Sequence, residues 1–120
     1  MVFIYMKLRI NGNSIRLRLT PEEVKAVSLG ERIHTTCKLL NGLFSYELKP
    51  ETDWHAEILG TNISISLPIA EASGWAENDQ VGFEYRFSNG LLVLIEKDFQ
   101  CLHPRDHENE DHLYPNPEQL

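Results

Sequence analysis

Four side chains that can bind a metal lie close together near the end of the chain. They fall within twelve residues, beside several carboxylates, in the spacing C-x-H-x3-H-x4-H: Cys101, His103, His107 and His112. Thiolate and imidazole are ligands that zinc and nickel accept. The spacing matches no closed zinc signature, however, and a solvated acidic tail explains the same residues. The segment therefore predicts either a metal site or a charged tail.

Catalytic motifs are missing from the sequence. It contains no G-x-S-x-G, no H-E-x-x-H and no glycine-rich phosphate loop. We therefore expect a protein that is not an enzyme and needs no cofactor. Cys37 lies on the alternating apolar stripe of residues 33–39, which predicts a buried core thiol. Cys101 is expected to be the more exposed and more reactive of the two cysteines.

Charge is distributed unevenly along the chain. Residues 1–50 carry eight Lys or Arg against four Glu, which gives +4. Residues 51–100 carry two basic and nine acidic residues, which gives −7, and residues 101–120 carry one Arg against five acids, which gives −4. This asymmetry permits an anion-binding face on the first half of the chain. The acidic remainder would repel nucleic acid at long range and slow its association.

The length and composition predict one compact domain. The chain has 120 residues, of which 42% are apolar and 24% charged, and it has no apolar run of the ~20 residues that a membrane span needs. We expect residues 1–100 to form this domain and residues 101–120 an acidic tail. No basic leader or cleavage site is visible, and the two cysteines show no disulfide framework. We therefore expect a cytoplasmic protein with reduced thiols and no membrane partner.

An internal repeat organises the domain. Sliding the sequence by 48 residues gives nine identities over the 44 aligned positions 6–49, without a gap, and defines two repeats at residues 6–50 and 54–98. The matches include turn glycines such as Gly12 and Gly60, where a residue that tolerates positive φ is needed. The pattern indicates an internal duplication, with two unrelated hairpins in a β-rich chain as the alternative.

Each repeat has the order strand, turn, strand, helix, strand, turn, strand. Alternating apolar residues predict eight strands, at residues 7–10, 14–19, 32–40, 43–49, 54–59, 62–67, 80–87 and 91–97. Asn-Gly pairs at residues 41–42 and 89–90 predict tight hairpins, and the helix of the second repeat is expected over about residues 69–76. Thr20, Pro21 and Glu23 predict a helix start with a capping box. One repeat buries too little apolar surface to fold alone, so we expect a mainly β fold with two short helices. Its two ββαββ units would share one core and close one pseudo-two-fold barrel.

The alternation also predicts which side chains lie in the shared core: Ile10, Ile15, Leu17, Leu19, Val24, Val27, Ile33, Phe44, Tyr46, Ile58, Ile63, Ile65, Leu67, Trp75, Val81, Phe83, Tyr85 and Leu94. The run of residues 91–95 is apolar on both faces, so its second face needs a cover. The candidates are residues 2–5, the acidic tail, or a second copy of the chain. A second copy would form a homodimer through Leu91, Val93 and Ile95.

Two stretches of the sequence carry a family resemblance. GNSIRLRLTPEEV (residues 12–24), followed by a short helix and a hairpin, resembles the unit of the AbrB and MazE group of β-barrel DNA-binding proteins and antitoxins. ISISLPIAEASGWAENDQV (residues 63–81) resembles the same unit. In that family the unit has the ββαββ order, and two copies pair into one interleaved barrel. The resemblance covers about residues 6–98, and the whole chain is also similar to small bacterial proteins of unknown function.

The resemblance implies a DNA-binding surface, because the family contacts DNA with basic and small polar residues of the first hairpin. The positions that match in the first repeat are Arg9, Asn13, Ser14 and Arg18, with Arg16 as a further cation. Arginine and asparagine would position phosphates, and one arginine would reach guanine edges. The second repeat departs from this pattern, because its corresponding residues are Glu57, Thr61, Asn62 and Ser66. A palindromic site needs two equivalent halves, and this chain offers at most one.

Three functions remain open. The first, which we favour, is a non-catalytic interaction protein on a degenerate barrel, with an unknown partner. The second is a DNA-binding regulator or antitoxin-like protein that uses the basic first hairpin, although Arg16 and Arg18 also fit an ordinary solvent-exposed strand face. The third is a metal-binding protein that uses the histidines of the tail. Acidic extensions of MazE-like antitoxins bind toxins, so the resemblance also implies a protein partner for the tail, which could instead fold back over the Leu91 strand.

Overall fold

The structure, a computed structural model, describes residues 5–99, which form a mainly β fold with two short helices. All eight predicted strands are present, and their ends lie within two residues of the predicted positions. The strands are β1 Lys7–Ile10, β2 Ser14–Leu19, β3 Ile33–Leu39, β4 Gly42–Glu51, β5 His55–Leu59, β6 Asn62–Pro68, β7 Gly82–Arg86 and β8 Leu92–Lys97. The helices are α1 Pro21–Ser28 and α2 Ile69–Ala72, and a single 3₁₀ turn spans Trp75–Glu77.

The strands form two four-stranded sheets. Sheet A has the order β1-β2-β8-β7 and sheet B the order β3-β4-β6-β5. In each sheet the two central strands come from different repeats and run parallel, β2 with β8 and β4 with β6. Exchanging the equivalent strands of the two repeats therefore converts one sheet order into the other. The predicted closed barrel is not confirmed, because the strands of the described residues form two separate sheets.

The strand register shows how far the two repeats correspond. Every pair between β1 and β2 recurs between β5 and β6, moved by 48 residues. The central parallel pairs differ. Ser14 pairs with Leu92 in sheet A, and its counterpart Asn62 pairs with Ser45 in sheet B, so Ser45 and Leu92 correspond at an offset of 47 residues. The gapless alignment is therefore wrong for the second hairpins. The cause is the turn, which spans residues 40–41 in the first repeat and the longer segment 87–91 in the second.

The predicted capping box begins α1. The Thr20 hydroxyl accepts a hydrogen bond from the Glu23 backbone amide at 3.3 Å, and the Glu23 carboxylate accepts one from the Thr20 amide at 2.9 Å. The second oxygen of the Glu23 carboxylate accepts a hydrogen bond from the Met6 amide at 2.9 Å. The Glu23 carboxylate therefore accepts a backbone hydrogen bond at the start of α1 and also fixes the segment that leads into β1.

The helix of the second repeat is shorter than predicted. The sequence indicated a helix from Ile69 to Ala76, but α2 ends at Ala72. Gly74 follows in the left-handed conformation, with a φ of 80°, and the single 3₁₀ turn comes after it. Glycine adopts this conformation without the steric cost that a Cβ imposes, so the chain turns there instead of continuing the helix.

Among residues 5–99, no helix is long and apolar enough to cross a bilayer.

One hydrophobic cluster contains buried residues of both repeats. The predicted core residues that are buried in it are Leu17, Leu19, Val24, Val27, Ile65, Leu67, Trp75 and Phe83. Four predicted core residues are instead exposed to solvent by 40% or more: Ile10, Ile58, Val81 and Tyr85. The prediction missed five residues of the hydrophobic cluster: Met6, Leu48, Ala72, Val93 and Ile95. Periodicity shows which face of a strand is apolar, but it does not show which residues of that face lie beyond the opposite sheet and are therefore exposed.

The prediction of a homodimer through Leu91, Val93 and Ile95 does not fit the structure. Val93 and Ile95 are completely buried in the core, and β8 lies between β2 and β7. The inward and outward faces are also reversed for Leu94, which was predicted in the core and lies half-buried in register with Arg16. The face of β8 that was expected to need a cover, with Val93 and Ile95, lies in the core of the same chain, so no second copy is needed there.

We predict that Glu23→Ala destabilises the protein by about 1–3 kcal/mol, because it removes two hydrogen bonds to a carboxylate. The control is Glu22→Ala, which removes the same charge from the same first turn of α1, where the side chain is exposed. Urea unfolding of both variants measures the difference. Equal destabilisation by the two changes would contradict this role of Glu23.

Candidate functional site

Four cationic side chains lie on the outward side of sheet A, and we call this surface the basic face: Lys7, Arg9, Arg16 and Arg18. Lys7 lies directly opposite Arg18 in the antiparallel pair of β1 and β2, and Arg9 lies opposite Arg16. The residues between them, Leu8, Leu17 and Leu19, point into the core. The alternation of strand side chains thus places all four cations on one side. They line a shallow depression of about 430 Å³ together with Leu8.

Two acidic residues from the end of β8 partly neutralise the basic face. Glu96 lies 3.5 Å from the Arg16 Nε and 3.6 Å from the Arg18 Nε, and Asp98 lies 3.0 Å from the Lys7 Nζ. Like charges directly opposite each other destabilise a strand pair, so these contacts offset part of that cost. Four cations against two carboxylates leave the basic face with a net charge of +2.

Two of the arginines have groups without a hydrogen-bond partner in the described part of the chain. Arg9 is exposed and makes no ion pair or hydrogen bond within residues 5–99. The Arg16 Nε is buried, and although Glu96 is near, this nitrogen has no hydrogen-bond partner in the described part of the chain. An unsatisfied buried donor costs on the order of 1–3 kcal/mol. Arg9 is exposed, so its guanidinium is the group of this pair that an anion bound at the basic face would reach.

The structure brings the predicted residues Arg9, Arg16 and Arg18 together, and it places Asn13 and Ser14 at their margin. Asn13 is exposed in the turn of residues 11–13, where its backbone carbonyl accepts a hydrogen bond from Leu92. Ser14 begins β2 and is half-buried. Both lie at the turn end of β2, whereas Arg18 lies near the other end.

Sequence reasoning missed one residue of the basic face, Lys7, and the two acidic residues that contact it, Glu96 and Asp98. Lys7 carried a signal that could have found it, because it alternates with Arg9 along β1. Glu96 and Asp98 carried none. They reach the cations only because β8 lies next to β2, and that pairing joins distant parts of the chain.

The second repeat places different chemistry on the same backbone. The residues that correspond to the four cations, in identical register, are His55, Glu57, Ser64 and Ser66. None of them is Lys or Arg, and the His55 Nε2 lies 3.0 Å from the Glu57 carboxylate. The predicted asymmetry between the two repeats therefore holds at the positions that the register defines.

Sheet B instead buries a carboxylate at its centre. Glu47 is 7% exposed and accepts hydrogen bonds of 2.6 Å from the Ser64 hydroxyl and from the Arg32 Nε. Burial alone would raise the pKa of Glu47, but these two hydrogen bonds, with the positive charges of Arg32 and Lys49, outweigh it and lower that pKa below its ordinary value. This network stabilises the sheet and leaves the carboxylate no free oxygen for a ligand.

The prediction that Cys37 is a core thiol is wrong, because its side chain is exposed. Cys37 pairs with Phe44 in the part of the β3–β4 hairpin that extends beyond β6, since β4 and β6 pair only from Ser45 onward. Nothing in the described part of the chain covers it there.

The metal prediction falls outside the described residues. Cys101, His103, His107 and His112 all belong to the segment of residues 100–120, so the metal site stays a prediction. Within residues 5–99, no group of three or more His, Cys, Asp or Glu residues is arranged to hold a metal ion.

Comparison with known proteins gives one informative result. A family model described as a family of unknown function (DUF7009) matches residues 6–118. The curated proteins contain no match, and the solved structures contain none either.

We predict that Glu47→Gln destabilises the protein by about 1–3 kcal/mol at pH 7, because the buried acceptor loses its charge. The folded-state pKa of Glu47 is lower than its unfolded value of 4.5. The stabilisation is therefore complete above pH 4.5 and is lost as the pH falls through the lower folded-state pKa. The gap between the native chain and the variant should accordingly close in acid.

The control is Glu57→Gln, on β5, the edge strand of the same sheet. Its carboxylate is exposed and paired with His55, so the change should cost about 0.5 kcal/mol or less. Urea unfolding at several pH values compares the two variants. A constant gap for Glu47→Gln between pH 7 and pH 3 would contradict the charged network.

Proposed function

The chain belongs to this family of unknown function (DUF7009), and we propose that it is a non-catalytic interaction protein that binds an anionic partner on the basic face. The observation that carries the proposal is the array of four cations in two cross-strand pairs, Lys7 with Arg18 and Arg9 with Arg16. The chain as a whole has a net charge of −7, so this array is a local positive region on a negatively charged protein.

The arrangement of the cations supports this function. Arginine guanidinium groups bind carboxylate and phosphate oxygens through two parallel hydrogen bonds. Arg9 is exposed and has no partner among the described residues, so an anion would bind it without breaking an existing contact. Glu96 holds Arg16 and Arg18 side by side and reduces their mutual repulsion before a partner arrives.

The asymmetry between the repeats supports a one-sided contact. Both repeats place four residues in the same register, but only the first places cations there. We infer that one unit of a duplicated, AbrB-like pair kept the basic hairpin, while the other unit has two buried serines, Ser64 and Ser66, and the exposed pair His55 and Glu57 at the same positions. The duplication is supported by the shared strand register and by the equivalent orders of the two sheets.

A DNA-binding regulator is the second candidate. It is favoured by one observation: the cations of β1 and β2 lie in cross-strand pairs on the outward side of sheet A, next to its β1 edge. Lysine and arginine in such an array bind phosphates, and an arginine can also read a guanine edge in the major groove. The second repeat lacks the matching cations, so this candidate requires an asymmetric site instead of a palindrome.

We predict that the full chain is retained on immobilised heparin at low salt, despite its net negative charge. Arg9→Gln and Arg18→Gln should each lower the salt concentration needed for elution, because each removes one cation from the basic face. The matched control is Lys25→Gln, which removes the same charge from the exposed side of α1. Passage of the native chain through the column without retention would contradict the proposed function.

A mobility-shift experiment with duplex DNA separates the two candidates. DNA binding should be salt-sensitive, and Arg18→Ala should reduce it and lower the slope of log Kd against log salt by about one. Retention on heparin without any shift of DNA at low salt would support binding of an anionic partner and would exclude the DNA-binding regulator.

A further inference from the structure

The described part of the chain ends beside the basic face. β8 runs parallel to β2 and ends at Lys97. The carboxylate of Asp98, the next residue, lies 3.0 Å from the Lys7 Nζ. The described residues end one position later, at Phe99. The rest of the chain therefore starts at the margin of the basic face.

Residues 100–120 contain a strongly acidic stretch. They carry five acids against one arginine, and four of these acids fall within residues 106–111 (DHENED), which we call the acidic segment. Asp106, Glu108 and Glu110 occupy every second position in it. An extended chain places alternate side chains on one side, so the acidic segment can present three carboxylates together. Lys7 and Arg9 have the same spacing along β1.

The β1 side of the basic face is the less neutralised side. Sheet A has the order β1-β2-β8-β7, so β2 has β8 beside it, whereas β1 is an edge strand. Glu96 of β8 lies against both arginines of β2, but Arg9 of β1 makes no ion pair within residues 5–99. Opposite charges on neighbouring strands stabilise their contact. A segment with carboxylates beside β1 would give Arg9 the kind of partner that Glu96 gives the arginines of β2.

The linker between Asp98 and the acidic segment is long enough for this contact. It consists of residues 99–105, and the eight steps from Asp98 to Asp106 span up to about 27 Å when extended. The cations occupy two successive outward positions of β1 and of β2, which lie about 7 Å apart along each strand. The acidic segment can therefore reach all of them. A tether this short also gives it an effective concentration in the millimolar range.

We propose that the acidic segment docks on the basic face beside β1 and competes there with the anionic partner. The four carboxylates of the segment complement the net charge of +2 that the basic face keeps after its contacts with Glu96 and Asp98. The inference rests on the proposed function, since it names what controls access to the same cations. The chain would then carry its own competitor for the basic face.

Zero-length crosslinking of the full chain tests the docking. A carbodiimide joins a lysine amine to a carboxylate that contacts it, with loss of one water, and mass spectrometry of the digest locates the link. The Lys7–Asp98 contact of 3.0 Å is the internal reference. In dilute solution at low salt, Lys7 should also link to Asp106, Glu108 or Glu110 of the same chain. These further links should be lost at about 1 M salt, where the Debye length is about 3 Å.

Lys38 is the matched control for this experiment, because it is an exposed lysine near the end of β3 in sheet B. It should link to the acidic segment far less often than Lys7 does. Equal linking to Lys38 and Lys7 would overturn the docking. A Lys7–Asp98 link without any link from Lys7 to the acidic segment, or links found only between two chains, would also overturn it.

Binding of a heparin oligosaccharide to the full chain, measured by calorimetry at low salt, tests the competition. Removing the four charges of the acidic segment should tighten binding about tenfold, because two or three exposed ion pairs no longer have to break first. The changes in this segment variant are Asp106→Asn, Glu108→Gln, Glu110→Gln and Asp111→Asn. A control variant removes the same charges from exposed positions that contact no cation of the basic face: Glu51→Gln, Asp53→Asn, Glu71→Gln and Asp79→Asn.

The outcomes separate this inference from the proposed function. Equal affinities of the native chain and the segment variant, or an equal gain in the control variant, would overturn the competition and leave the proposed function standing. Failure of both the native chain and the segment variant to bind would contradict the proposed function and with it the competition. The crosslinks need no partner, so they report the docking separately.

Discussion

The structure depends on the parallel pairing of strands from opposite halves of the chain. Each repeat alone has only two separate hairpins, and a two-stranded hairpin has little stability of its own. Pairing β2 with β8 and β4 with β6 turns four hairpins into two sheets. The same pairs bring Leu17 beside Ile95 and Leu48 beside Ile65, and all four are fully buried. Fold and core are therefore established by the same contacts.

Local patterns predicted the elements well, because the forces that form them act between near neighbours. Alternation located eight strands, and Thr20 with Glu23 located the helix start. The choice of partner for each hairpin is decided by contacts between distant residues, which no short pattern records. Cys37 shows the limit clearly. Its alternation is that of a core residue, but its hairpin is longer than the sheet opposite, so the side chain is exposed.

The candidate site shows the same division between local and distant information. The shared side of Arg16 and Arg18 follows from the period of a strand, and Arg9 joins them through one tight turn. Glu96 and Asp98, which partly neutralise these cations, lie at the end of β8 and just after it, and their positions depend on the pairing between the repeats. The two hairpins with identical register carry opposite chemistry, which shows that the backbone constrains where side chains point and leaves their charge free to diverge.

The two sheets differ in how much of the chain must be synthesised before their central strands can pair. In sheet B the paired residues Ser45 and Asn62 are 17 positions apart, so this sheet can assemble while the ribosome is still adding later residues. In sheet A the paired residues Ser14 and Leu92 are 78 positions apart. Contacts of high sequence separation form slowly. The arginine-bearing hairpin therefore leaves the ribosome early and remains without its neighbouring strand until nearly the whole domain has been translated.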